Sequence, residues 1–434
     1  MDARRLLADL VRIDTTNPPG NEWAAAERLE TEFQSAGVDV RIVSSPGGRA
    51  NLIARVPGDP ARPALVLLSH LDVVSVEEDR WSRPPFAAEE VGGELWGRGT
   101  LDMKAVTVMH ACAAVAAATS ARREIIVAAV ADEEAGGGEG AAWLVDEHPD
   151  LVGFRDTSPP PGVLGEGAYG IDGLLDRPIL PIALGEKQAV RVALTASGDA
   201  GHGSLPPPRQ AILNLARFVG DAAGYREARL HPVIREQLGA MTVAASGSRK
   251  RALQALAKAP GRAAVRSIAP LLRRQPPLGS LLSDVVSVTT FNAGYKDNVV
   301  PGEATGSLDC RLLPDTDIDS FLAGLRRKAD NHGVRIAERN RHGGPVSPKS
   351  SLFETLRRVS ADLPGAPAVV PTISPAMTDV RFFRLRGATG YGWVPLVITP
   401  ELLATIHGHD ERIPLSGFDG AVEAMTRVVA ETTA

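Results

Sequence analysis

Four short segments concentrate imidazoles and carboxylates in patterns suited to metal-assisted hydrolysis. In Ser69-His70-Leu71-Asp72, which follows the apolar run Ala64–Leu68, residues i and i+2 share a strand face. His70 and Asp72 can therefore enter one cleft, with Asp72 free to hold the second ring nitrogen of a ligating histidine. In Gly97-Arg98-Gly99-Thr100-Leu101-Asp102-Met103-Lys104 the glycines permit a sharp turn before a helix that begins near Asp102. Asp132-Glu133-Glu134 comes directly after a strand-like apolar run, where adjacent acids are costly without a cation or solvent. One of these glutamates suits metal binding, and its unligated neighbour suits general-base work. The last segment, Thr405 to Ile413, carries His407 and His409 in a turn before a final helix. Taken singly, each has a plainer account: a structural His-Asp pair, an Asp N-cap, a solvated acidic loop, a satisfied structural histidine.

The elements that must position these residues follow from periodicity. Residues 22–36 read as an amphipathic helix, Val38–Val43 and Asn51–Val56 as strands, Asp102–Ala118 as an Ala/Val-rich helix and Glu124–Val130 as a buried strand. Apolar strands alternating with helices predict an α/β layer with a largely parallel sheet. Beyond Pro181 the pattern changes. Gln188–Thr195, Asp284–Thr290, Glu303–Leu312 and Gly333–Glu338 alternate apolar and polar residues, as in a sheet with one wet face, with a helix over Ala211–Ala223. Residues 225–280, rich in Ala, Arg and Pro, read as a helical insertion that enlarges this second unit, and 350–430 return to α/β patterning. The expected plan is a catalytic domain over 1–185 and 344–434, split by an inserted α+β domain over 186–343.

Composition narrows the function classes. A chain of 434 residues with a formal charge of −5 has no basic excess for nucleic acid. The apolar run Val106–Ala118 is far short of the roughly 20 residues of a membrane span. Two distant cysteines, Cys112 and Cys310, form no disulfide framework and point to a reducing, cytoplasmic setting. Two glycine motifs imitate a dinucleotide site: Gly165-Glu166-Gly167-Ala168-Tyr169-Gly170, and Gly136-Gly137-Gly138-Glu139-Gly140-Ala141. Glu166 in the first, and Asp132, Glu133 and Glu134 beside the second, would repel a pyrophosphate. No nucleophile-elbow or P-loop motif occurs.

The ordered set SHLDVV, GRGTLDMK, ADEEAGG, GHGSLP, NVVPG, TDVRFF and HGHDER resembles the zinc-dependent exopeptidase and deacylase family. That family includes succinyl-diaminopimelate desuccinylase, acetylornithine deacetylase, aminoacylase, carnosinase and carboxypeptidase S. The resemblance runs from Thr15-Thr16-Asn17-Pro18-Pro19-Gly20 to the His407 segment. It implies two divalent ions, zinc first with cobalt or manganese as substitutes, bridged by Asp102. His70 and Glu166 would complete one side, Glu134 and His407 the other. Glu133 would be the base and Asp72 the residue orienting His70, with a cis peptide after Asp102. The inserted domain would be a lid. From it, His202 would hydrogen-bond the oxyanion, in trans where lids dimerise, and Asn298 and Arg311 would contact substrate. Arg381 would grip a substrate carboxylate. The implied activity is hydrolysis of an amide bond in a small carboxylate-bearing substrate, an N-acyl amino acid or a peptide, by a homodimer. The alternative is a catalytically inactive relative serving as a binding or dimerisation module.

Overall fold

The computed structural model describes residues 1–259, 265 and 276–434. Its main sheet orders Asp39–Ser44, Ala50–Val56, Ile125–Val130, Leu65–His70, Gly162–Gly165, Thr389–Gly392, Ile179–Glu186, Gly170–Ile171 and Val397–Ile398, with Ala368–Ser374 paired to Ile179–Glu186. Leu65–His70 runs parallel to both Ile125–Val130 and Gly162–Gly165, and the latter parallel to Thr389–Gly392. Only the outer pair, Asp39–Ser44 and Ala50–Val56, and the inner connections of Ile179–Glu186 introduce antiparallel ladders around this centre.

The uninterrupted apolar run Ile125–Val130 is buried on both faces, as a central parallel strand requires. Ile125, Val127 and Ala129 enter a layer with Leu6, Phe33, Met109, Phe418 and Met425, contributed by helices Ala3–Arg12, Glu22–Ser35, Lys104–Ala117 and Leu415–Thr433. Ile126, Ala128 and Val130 enter the opposite layer with Leu144, Val145, Val380 and Phe383, from helices Ala141–Glu147 and Val380–Leu385. The strand alternation of side chains thus builds two cores from one sheet. The helix expected from Asp102 begins at Lys104, and Met103 at its N-cap makes no side-chain cap.

The second sheet is antiparallel, in the order Gly224–Ala228, Ser283–Ala293, Glu303–Leu312, Gln188–Ser197, Val334–His342. Its inward residues, among them Val190, Val192, Leu194 and Leu308, pack on Leu215 and Phe218 of helix Ala211–Ala222 and on Leu322 and Leu325 of helix Ile318–Asn331. This is the unit expected to form the lid. The chain enters it from Ile179–Glu186 through Lys187 and leaves after His342 through Gly343-Gly344-Pro345.

The helical segment read as an enlargement of the lid goes elsewhere. Residues 260–264 and 266–275 of it lie outside the described residues. Helices Pro232–Met241 and Gly247–Ala257 place Ile234, Leu238, Met241 and Leu253 on Ile179, Ala368, Val370 and Ile373 of the main sheet. The apolar stripe at helical spacing covers a strand flank that would otherwise be wet, a partner that sequence pattern alone does not name.

Candidate active site

Because the central strands are parallel, their carboxyl ends open on one side, the usual place for a ligand crevice in such sheets. His70 ends Leu65–His70, Glu133 and Glu134 follow Ile125–Val130, and Glu166 follows Gly162–Gly165. Asp102 joins them from the turn before Lys104–Ala117, and His407 from the turn after Pro400–Leu403.

Asp102 stands between two histidines. Its Oδ1 is 3.2 Å from His70 Nε2 and its Oδ2 is 2.9 Å from His407 Nε2. Glu166 Oε2 lies 3.7 Å from His70 Nε2, and Glu134 Oε1 lies 3.3 Å from His407 Nε2. The structure therefore brings together all five expected ligands, in the expected two-sided arrangement about Asp102. Glu133 is with them: a carboxylate oxygen of Glu133, one of Glu166 and a nitrogen of His70 lie within 4.8 Å of one another.

Asp72 differs in detail. The nearer partner of His70 Nδ1 is the Asp72 carbonyl at 2.9 Å, with the carboxylate Oδ1 at 3.5 Å. The carboxylate accepts instead from the backbone N–H groups of Glu133 and Glu134, at 3.1 Å each. Asp72 thus orients both the histidine and the acidic turn.

The charges are those of a site built around cations. Burial, and then the charge of Glu166, push Glu133 well above the usual carboxylate range. Burial raises Glu166 to about 7. His407 is raised to about 10 by the neighbouring carboxylates of Asp102 and Glu134. Burial opposes a charge on His70, yet hydrogen bonds to Asp102, Asp72 and Glu166 raise it well above its ordinary value. Burial likewise opposes ionisation of Asp102, but the two histidines hold its carboxyl well below its usual range. Buried Glu134 Oε1 has no aligned hydrogen-bond donor, despite the imidazole at 3.3 Å. An oxygen- and nitrogen-rich donor set without cysteine, with an unsatisfied carboxylate oxygen, fits a pair of hard or borderline cations.

The lid residues are set apart from this cluster. His202 is exposed and pairs with Ser204 Oγ at 2.7 Å, next to Asn298, whose carbonyl accepts from Gly203. Arg311 pairs with Asp309 at 3.0 Å. Arg381 is held from within the protein. It is 2% exposed, and its terminal nitrogens donate to the Thr378 and Gly136 carbonyls at 2.8 Å, with the guanidinium 4.1 Å from the Phe382 ring centroid. Its terminal nitrogens are engaged by backbone and tie helix Val380–Leu385 to the acidic turn, while its Nε has no hydrogen-bond partner.

Two further residues shape the site without a signal of their own in spacing. Buried Glu411 accepts from the N–H groups of Gly99, Leu101 and Asp102 and pairs with Arg98 at 2.5 Å, while Arg98 also donates to the Gly408 carbonyl. This ion pair fixes the Asp102 turn against the His407 turn. Buried Asp379, with no hydrogen-bond partner at either oxygen, lines a small cavity with Ser69, His70 and Glu166, and burial raises it to about 7. The glycine decoys also resolve. A Cβ on Gly167 would lie 2.3 Å from the Gly392 backbone, and one on Gly140 would lie 1.9 Å from the Ala131 carbonyl. These glycines serve close backbone approach, not phosphate binding.

Residues 66–431 match the model of peptidase family M20/M25/M40. The chain belongs to this family. Among curated relatives, N-fatty-acyl-amino acid synthase/hydrolase PM20D1 of Mus musculus is 26% identical over 91% of this chain and 78% of its own. Aminoacylase-1 of Homo sapiens is 27% identical over 98% of this chain and 93% of its own. Among solved structures, an M20 metallo-carboxypeptidase from Sulfolobus solfataricus superposes with a TM-score of 0.75 at 17% identity, covering 99% of each chain. A dinuclear metal-binding M20 peptidase from Bacillus subtilis superposes at 0.61 and 14% identity, covering 99% of this chain and 97% of its own. This member is accordingly a metallohydrolase of amide or peptide C–N bonds, with an α/β catalytic domain and a lid. The reading as an inactive relative has no missing ligand or base in its favour. Among the described residues, no helix is long and apolar enough to cross a membrane.

Proposed function

We propose that this M20 member hydrolyses the amide bond of N-acyl amino acids, with Glu133 as general base. The observation that carries this is Asp102, with one carboxylate oxygen on each histidine, and the half-buried Glu133 grouped with His70 and Glu166. Two divalent ions, zinc first, would be held by His70, Asp102 and Glu166 on one side and by Asp102, Glu134 and His407 on the other. When bound they polarise the scissile carbonyl and lower the pKa of water. Glu133 takes the proton from the attacking water and hands it to the leaving amine. Its burial suits it to both transfers, since a raised pKa keeps the carboxyl able to give the proton back. Asp72 holds His70 and the Glu133–Glu134 turn in register. His202 hydrogen-bonds the oxyanion of the tetrahedral adduct. Asn298 and Arg311 contact the substrate, and Arg381 acts by positioning the turn at Gly136.

The amino-acid end of the substrate is favoured by the two curated relatives, which share acyl-amino-acid chemistry. Dipeptides are the second class to try, as members of this fold include peptidases. We also assign 1–185 and 344–434 to catalysis and 186–343 to the lid, apart from helices Pro232–Met241 and Gly247–Ala257, which pack on the main sheet. A homodimer through the lid is the proposed assembly, and it is supported by strand Ser283–Ala293. From Ser287 onward that strand is exposed, with Phe291 at 42%, and Leu205 of the His202 turn is 79% exposed. The test is hydrolysis of N-acetyl, N-succinyl and long-chain N-acyl amino acids and of dipeptides by zinc-loaded protein. Glu133→Gln is expected to lower kcat by about 10²–10⁴-fold while two ions per chain remain bound. Normal turnover by that variant would refute the role of Glu133.

A further inference from the structure

We infer that Asn17 is the positioning residue of the Glu133–Glu134 turn, its side-chain amide joining the carboxylates that fix the turn from either side. The inference rests on the reading of Glu133 as the base.

The segment carrying Asn17 is laid against the strand end that bears His70. The N–H of Asn17 donates to the Val73 carbonyl at 2.9 Å, the N–H of Val73 to the Thr15 carbonyl at 3.1 Å, and Thr15 Oγ1 to the Leu71 carbonyl at 2.7 Å. These bonds deliver the Asn17 side chain, 7% exposed, between two buried acids. Its Nδ2 donates to Asp72 Oδ2 at 2.8 Å and to Asp132 Oδ1 at 3.3 Å. With an acceptor on each side, the amide orientation is forced, because the flipped form would set a carbonyl oxygen against a carboxylate.

Both acids act on the catalytic turn. Asp72 receives the backbone N–H groups of Glu133 and Glu134, one on each oxygen. Asp132 immediately precedes them in the left-handed region, at φ 71°, which a non-glycine residue holds only when its surroundings impose it. What imposes it is a set of donors to its carboxylate: Asn17 and Arg49 Nη1 (3.2 Å) on Oδ1, and the N–H of Glu139 on Oδ2 (3.1 Å). Arg49 is itself held by the buried Glu22. Among these groups, only the Asn17 amide spans from Asp132 to Asp72. A primary amide carries two N–H donors on one nitrogen, which a hydroxyl or a carboxylate does not. Without it, two carboxylates of 0% and 9% exposure lose the one amide hydrogen-bonded to both, and Arg49 is left bonded to Asp132 alone of the two. The turn then relaxes and Glu133 leaves its place. Asn17 needs to touch neither substrate nor metal for this.

The test uses zinc-loaded full-length wild type, Glu133→Gln, Asn17→Ala, Asn17→Ser and Asn17→Asp. Each is assayed for kcat and KM on the N-acyl amino acid turned over fastest, with bound metal and folded fraction measured on the same samples. Asn17→Ala and Asn17→Asp are expected to lose about 100-fold in kcat, the scale of a misplacement near 1 Å. Asn17→Ser, with one donor left, should lose about 10-fold. KM should stay within about threefold, with two ions per folded chain, a split that general loss of structure does not produce. Wild-type kcat in Asn17→Ala, or losses that vanish after correction for metal content and folded fraction, would overturn the inference. If Asn17→Ala does not fold, Asn17→Ser and Asn17→Asp decide, and equal kcat in those two overturns it. An active Glu133→Gln would instead refute the underlying reading of the base, and this inference with it.

Discussion

The site turns on how few residues do two jobs each. Asp102 faces both histidines, Asp72 holds a histidine and two backbone amides, and Glu411 gathers three amides and a guanidinium. Outside the site, His110 shows what burial does without such partners. It lies inside helix Lys104–Ala117, has no hydrogen bond to either ring nitrogen, and burial lowers its pKa from 6.5 to about 3. The folded state keeps this ring neutral while the unfolded chain takes up a proton below 6.5. Its contribution to stability is therefore complete above about pH 6.5 and is lost as pH falls towards 3. His110→Leu should flatten the stability–pH curve over this window by about 1.4 kcal/mol per pH unit. Urea unfolding at a series of pH values measures it, and an unchanged slope would mean that other groups carry the acid sensitivity.

Between elements, the turns that carry the ligands are joined by buried polar ties rather than by the ladder. Arg98 and Glu411 are 2% and 0% exposed and belong to segments more than three hundred residues apart. Their pairing sets the distance between Asp102 and His407. Arg98→Met leaves the Glu411 carboxylate buried without its cation, and is expected to cost about 3–5 kcal/mol in chemical unfolding. The same change should weaken metal retention at the His407 side, read by metal analysis after dialysis against a chelator. The glycines play the complementary part: Gly167 and Gly392 let Glu166 approach strand Thr389–Gly392 closely, since a Cβ on Gly392 would stand 2.4 Å from the Glu166 carbonyl.

At the level of the whole molecule, the acids of the site come from segments scattered through the first half of the chain, and His407 comes from near its end. Cations held at their centre would tie these parts together, and ions that bind the folded state alone would stabilise it. Removal of metal by chelation should lower the melting temperature, and zinc should restore it, with about 2.7 kcal/mol per site at a hundredfold excess over Kd. The insertion has its own reach: Thr372 Oγ1 donates to Gln237 Oε1 at 3.1 Å, the N–H of Asp176 to the Ala244 carbonyl at 2.9 Å, and Lys187 Nζ to the Ser280 and Ser283 carbonyls. The lid chain is thus fastened to the main sheet at a place other than its two crossings. If lids pair through the exposed edge of Ser283–Ala293, Phe291→Lys should shift the protein from dimer to monomer in light scattering and reduce kcat, because His202 would lose its access to a partner's site. A monomeric wild type would remove the basis for that expectation.

The sequence by itself determined the classes of element and the chemistry. Period-two and period-3.6 patterns are written locally, so the buried strands, the wet lid sheet and the long apolar helix are legible from neighbouring residues alone. The ordered His, Asp and Glu motifs carry a family resemblance, and it is that resemblance, not their spacing, that implies the two-sided ligand set. What only the tertiary structure decided were relations between distant segments. Arg381 looked free because a guanidinium's partners are not encoded in its neighbours; two backbone carbonyls hold it. The stripe of Ile234, Leu238 and Met241 declared a buried face without saying which surface would cover it, and it lies on the main sheet rather than the lid. Asn17 carries no role of its own within the Thr15–Gly20 segment until folding sets its amide between Asp72 and Asp132, residues 55 and 115 positions away. Hydrogen bonds of that span depend on where strands end in space, and no local pattern carries that information.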